Sequence, residues 1–162
     1  MLRCNYYEQI RQYDSYDGAP FIEEATNGSV RFLDLILPQF WLPKYDWVMC
    51  LEVVEHIPGQ HESTVLDNIV RPATEGVVLS WATPGQGGYL HVNEKSANYS
   101  QAEMRKRGLH LDHEATSKLR QAAGWYWLHN NVAVYRFAST KSQLSSISFR
   151  TTTPTTDAAS KS

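Results

Sequence analysis

Apolar residues in this chain gather into short solid runs, and they alternate with polar residues clearly only near the end. Trp47–Leu51 (WVMCL) and Gly76–Trp81 (GVVLSW) are two such runs. Continuous apolar stretches of this length suit strands covered on both faces, as in a parallel sheet. Between them, HESTVLDNIV sets Val65 against Ile69 and Leu66 against Val70, each four residues apart, so that they share one helical stripe. Pro72 helps to stop that helix. Strand, helix and strand in this order make a βαβ unit. Upstream, Val30–Leu35 (VRFLDL) predicts a strand entered from the Asn27-Gly28 turn, and Tyr13–Tyr16 a very short strand closing at Asp17-Gly18. Residues 4–11 carry Tyr7 and Ile10 at helical spacing. Downstream, Ser100–Glu103 has capping-box spacing with Gly108 beyond it, and Ala115, Leu119 and Ala122 predict a helix closed by Gly124. Over Val132–Phe137 the residues alternate: Val132, Val134 and Arg136 point one way, Ala133, Tyr135 and Phe137 the other. Asn130-Asn131 marks an irregularity before that strand. The whole reads as α/β, with a late antiparallel strand.

Composition narrows the picture. At 162 residues, 42% hydrophobic, the chain holds one domain and a tail. Thirteen of the 24 residues from Ser139 to Ser162 are Ser or Thr. Such a stretch buries too little apolar surface to offset its chain entropy. The expectation is a folded domain over 1–138 and a disordered tail over 139–162. A net charge of -2 lacks the basic footprint of a nucleic acid partner. Cys4 and Cys50 are too few for a disulfide framework or a four-cysteine zinc site. There is no apolar run of membrane-spanning length and no signal-peptide pattern at the start, so the expected setting is cytoplasmic.

Candidate chemistry follows from topology, because open α/β sheets bind ligands beyond the carboxyl ends of their strands. Asp17, followed by Gly18, can accept both hydroxyl protons of a ribose; it can equally serve a turn by accepting nearby amides. Asp34 breaks an apolar strand. Its carboxylate can accept from an adenine amino group while Leu35 supplies an apolar contact, or it too closes a turn. Glu52-Val53-Val54-Glu55-His56 is the densest polar cluster and directly follows a buried run. Its carboxylates and imidazole suit acid–base chemistry or a divalent metal. Holding the loop before Pro58 explains the cluster better than metal does, and no metal ligand is assigned. The loop Thr83–Asn93 carries Gly85, Gly87 and Gly88, with His91 as a further polar candidate. No Gly-Lys-Ser/Thr follows, so it is not a P-loop. Trp47, Trp81, Trp125 and Trp127 lie in or beside the apolar runs, where core packing is the default.

The succession YDGAP, RFLDL, YDWVMCLEVVEHIP and GVVLSWATPGQGG resembles the S-adenosylmethionine-dependent class I methyltransferases, in their type-11-like branch. The resemblance covers about Cys4 to Phe137, and DWVxCLEVVEHIP is its most specific piece. It implies an incomplete Rossmann-like sheet, mostly parallel with a late antiparallel strand and helices on both faces, and S-adenosylmethionine as cofactor. By resemblance, Asp17 and Gly18 face the cofactor ribose, Asp34 and Leu35 the adenine, and Leu51 and Glu52 the methionine part and the substrate. Glu55, His56 and His91 are the candidate bases. Some relatives with Glu-x-x-Glu-His here bind a divalent metal, which is an analogy of spacing.

One departure has physical consequences. The family opens with a central strand, an acidic residue and a Gly-x-Gly loop; no such motif precedes Tyr13, and Cys4–Tyr13 resembles the helix after that loop. Without that strand its two neighbours keep facing ladders of unpaired backbone groups. Each group left unsatisfied and buried costs about 1–3 kcal/mol, against a domain stability of roughly 5–15 kcal/mol. The expectation is that the two neighbours pair directly, or that a partner or a missing segment completes the sheet. Two functions follow: methyl transfer to an unidentified small-molecule or macromolecular acceptor, or a non-catalytic methyltransferase-like remnant serving as an interaction module.

Overall fold

The computed structural model describes residues 10–138. The expected tail over 139–162 and most of the expected helix over 4–11 lie outside the described residues; Ile10–Ser15 has no regular structure.

Two sheets organise the chain. The smaller joins β1 (Tyr16–Asp17) to β2 (Arg31–Phe32) in parallel. Between them α1 (Ile22–Ala25) makes a single turn, and Asn27 and Gly28 take positive φ to reverse the chain, as the Asn-Gly pair predicts. The expected strand Val30–Leu35 shortens to two residues. Asp34 ends it: its Oδ1 accepts the Ile36 amide at 3.0 Å and turns the chain away.

The larger sheet contains β3 (Tyr45–Cys50), β4 (Ala73–Ser80), β5 (Leu109–Leu111) and β6 (Val132–Phe137), in the order β3-β4-β6-β5. β3 and β4 are parallel, and α2 (Glu62–Val70) connects them, which is the βαβ unit read from the sequence. β6 runs antiparallel to both neighbours, matching the late antiparallel strand. β5 was absent from the sequence reading; at three residues, LHL, it is too short to show a period.

The core lies between α2 and the sheet. Val65, Leu66, Ile69 and Val70 are all buried, with Val77 and Leu79 of β4, Met104 and Leu109. Fully burying one such side chain stabilises by about 1.5–3 kcal/mol. Three sequence expectations need correction. α3 (Ala97–Lys106) is capped by Ser96, whose side chain accepts the Tyr99 amide. Ser100 is already inside the helix, its hydroxyl donating to Ala97 O, and Glu103 pairs with Lys106 and Arg107. α4 (His113–Ala122) is capped by Asp112 and ends in extended backbone at Ala123, before Gly124. Trp125 is 63% exposed and stacks on Trp127 ahead of the single turn α5 (Leu128–Asn131), so this aromatic run packs on itself, outside the core.

β1 and β3 do not pair directly. Each has one strand neighbour among the described residues, and side chains bridge them. Tyr16 Oη lies 3.2 Å from Tyr45 Oη, and Tyr45 donates to Asp14 at 2.6 Å.

Candidate functional site

The expected site residues fall into two groups. Asp17 is the last residue of β1, and Asp34 comes two residues after its parallel neighbour β2. The Leu33 amide donates to Asp17 O at 2.9 Å, and a side chain at Gly18 would meet Leu33 O at 3.4 Å. Asp17 Oδ1 accepts the Ala19 amide at 2.7 Å. Both carboxylates therefore use one oxygen to hold a turn. Leu35 is partly buried against the core.

The second group gathers after β3. Leu51 is half-buried. Glu52 takes a φ of 57°, in the left-handed region. Two bonds to Ser80 hold it there: its amide donates to Ser80 Oγ and its Oε1 accepts from the same hydroxyl, both at 2.7 Å. Asn131 Nδ2 adds a bond to Glu52 Oε1 at 3.1 Å. A sterically unfavoured backbone held by its surroundings is a feature found at functional sites.

Glu55 is fully buried, and neither carboxylate oxygen has a hydrogen-bond partner. Desolvation raises its pKa, with the Glu52 charge adding to the shift, and this favours the neutral acid. Its carbonyl accepts the Val92 and Asn93 amides at 2.9 and 3.0 Å, pinning the glycine-rich loop. That pinning sets His91 edge-on to His56, with ring centroids 4.9 Å apart. His91 Nδ1 lies 3.3 Å from Glu94 Oε1. Gly88 is required there, since a Cβ would sit 2.3 Å from the His91 ring. Among the described residues no three or more His, Cys, Asp or Glu side chains converge to hold a metal ion. The Glu-x-x-Glu-His spacing therefore does not assemble such a cluster here.

No hydrogen bond or ring contact joins the Asp17–Asp34 group to the Glu52–His91 group among the described residues. Asn68, 1% exposed on α2, ties the segment after β2 to that helix. Its Nδ2 donates to Leu35 O and Leu37 O, and its Oδ1 accepts from the Gln39 amide and Arg71. Sequence reasoning missed Asn68, Ser80 and Asn131. The one signal for Asn68 is a polar residue inside an apolar helical stripe.

Neither a family model nor a curated protein matches the chain. Solved structures do. A pericyclic reaction enzyme superposes with a TM-score of 0.52 and 15% identity, over 83% of this chain and 39% of that one. LepI in complex with SAM gives 0.51 and 15%, over the same shares. Magnesium protoporphyrin IX methyltransferase from Synechocystis PCC 6803 with bound SAH gives 0.47 and 17%, over 72% of this chain and 56% of that one. The chain carries a partial class I methyltransferase fold. It spans between 39% and 56% of the length of these three structures. In a methyltransferase fold the carboxyl ends of the parallel strands form the ligand edge. Asp17 is the last residue of β1, and Asp34 and Glu52 each come two residues after β2 and β3, strands of two separate sheets. No helix among the described residues is long and apolar enough to cross a membrane.

Proposed function

We propose that this chain binds S-adenosylmethionine and supports methyl transfer from it to a small-molecule or macromolecular acceptor. The observation that carries the reading is a carboxylate at the end of β1 and one two residues after each of β2 and β3, strands that belong to parallel pairs in the two sheets, the last held in left-handed backbone with two bonds to Ser80. Asp17 with Gly18 would hold the ribose, Asp34 with Leu35 the adenine, and Leu51 with Glu52 the methionine end. When bound, the cofactor would supply its methyl group to the acceptor's lone pair, with the carbon–sulfur bonding pair leaving on sulfur. Alignment does most of the work in such a displacement. The acceptor's proton passes to an imidazole: His56 is exposed, and His91 backs it edge-on. Glu55 lies sealed behind them. A type-11-like branch and a cytoplasmic setting belong to the same reading.

Calorimetry with S-adenosylhomocysteine tests it. The wild-type chain should bind, and Asp17→Ala, Asp34→Ala and Glu52→Ala should each weaken binding by about tenfold or more, the loss of a charge-assisted contact. Absence of binding by the wild type would overturn the proposal. It would leave the non-catalytic interaction module, which one observation favours: Asp17 and Asp34 each already serve a turn.

A further inference from the structure

The charge of Glu52 has no counter-charge beside it. No lysine, arginine or histidine forms an ion pair with it among the described residues. Its two oxygens differ in surroundings. Oε1 accepts from the Ser80 hydroxyl at 2.7 Å and from Asn131 Nδ2 at 3.1 Å. Oε2 has no partner among the described residues. Unlike both oxygens of Glu55, it is not sealed from solvent.

Strand register builds this arrangement. Ser80 ends β4 and is fully buried. It pairs with Val132 of β6, which brings Asn131 beside it, and the Trp81 amide donates to Asn131 O at 3.3 Å. The hydrogens on both donors are fixed by their neighbours. The Glu52 amide donates to Ser80 Oγ, so the hydroxyl hydrogen is left for Glu52 Oε1. The Thr83 amide donates to Gln86 Oε1 at 3.2 Å, and that same oxygen lies 3.4 Å from Asn131 Nδ2. Glu52 and Gln86 both present oxygen, so Asn131 turns its nitrogen toward them. A half-buried carboxylate held by one oxygen, with the other open and no cation nearby, is complementary to a cationic group on a ligand.

We propose that Ser80 and Asn131 are positioning residues for cofactor recognition: they hold Glu52 through its backbone and Oε1, and so keep Oε2 in place for the ammonium at the cofactor's methionine end. The inference rests on the S-adenosylmethionine reading. Neither residue has to touch the ligand. Without their bonds Glu52 is free to leave its left-handed φ of 57°, and the ammonium loses its partner while the ribose and adenine contacts remain.

Calorimetry on the full chain tests this with two ligands: S-adenosylhomocysteine, and its analogue with hydrogen in place of the amino group. The wild type should bind the first about tenfold more tightly, the usual size of a charge-assisted contact. Glu52→Gln should remove the preference. Ser80→Ala and Asn131→Ala should each remove most of it, while affinity for the deaminated analogue stays within about twofold of wild type. A merely structural role would weaken both ligands alike, and that result would overturn the proposal. So would a wild type that does not distinguish the ligands, or a variant of either residue that keeps the full preference. Should Ser80→Ala fail to fold, Asn131→Ala decides. A wild type that binds neither ligand rejects the S-adenosylmethionine reading and this inference with it, whereas binding of both without preference rejects this inference alone.

Discussion

Single residues here do work that their type alone does not announce. Asn68 bonds the carbonyls of Leu35 and Leu37 and the amide of Gln39, so it replaces a strand ladder for the segment after β2. Asn68→Ala should cost roughly 2–4 kcal/mol, since several backbone groups lose their partner at once; urea unfolding of the two proteins checks this. Glu55 presents the opposite case, a carboxyl with no partner. Burial raises its pKa in the folded chain, so the folded state favours the protonated form. That stability is complete below the unfolded carboxyl's pKa and is lost as pH rises through the folded value. Wild-type Tm should therefore fall across this window, relative to Glu55→Gln, whose side chain does not titrate. Parallel curves for the two proteins from pH 4 to 8 would reject the account. The strand-end positions of Asp17, Asp34 and Glu52 were legible in the sequence because these residues interrupt or follow apolar runs. Asn68, Ser80 and Asn131 were not, because their roles depend on partners 28 to 79 residues away.

Elements became legible in proportion to their length and burial. The β3–α2–β4 unit and β6 are long enough for their apolar pattern to show. β1, β2 and β5 have two or three residues each, and only pairing defines them. The cap of α3 shows the same limit: Ser96 and Ser100 are equally good capping residues by type, and the position of the preceding loop decides between them. β4 gains its central place from a close approach. A Cβ on Gly76 would lie 2.3 Å from Tyr135 O and 2.6 Å from the Trp47 ring, over which Arg136 stacks at 4.5 Å. Gly76→Ala must therefore push β6 away or expel Trp47. It should destabilise by about 1–3 kcal/mol, the usual cost of overpacking, or more where backbone has to shift. Loss of near-UV Trp circular dichroism with far-UV signal retained would show Trp47 expelled; a variant as stable as wild type would contradict the packing.

At the scale of the whole molecule, the two sheets differ in how much holds them. β4 and β6 each have strand partners on both sides and surround the buried core. Among the described residues β3 is paired only with β4, and β1 only with β2. Between β1 and β3 stand the Tyr16 and Tyr45 phenols and Asp14, side chains that do not replace a backbone ladder. Local opening should therefore be graded across the molecule. Amide hydrogen exchange should be slowest in β4 and β6, and fast in β1 and β2. Within β3 it should be split: amides facing β4 are protected, while alternate amides facing β1 exchange near the rate of local opening. S-adenosylhomocysteine, if held as proposed, adds a second expectation. Its contacts would tie the β1–β2 rim to Glu52, so it should slow exchange at Ala19, Ile36 and Glu52 together, whose amides bond Asp17, Asp34 and Ser80. Protection confined to Glu52 would mean that the small sheet takes no part in the site, and uniform protection through β1–β4 without ligand would mean that the edges are closed by something other than the side chains seen between them.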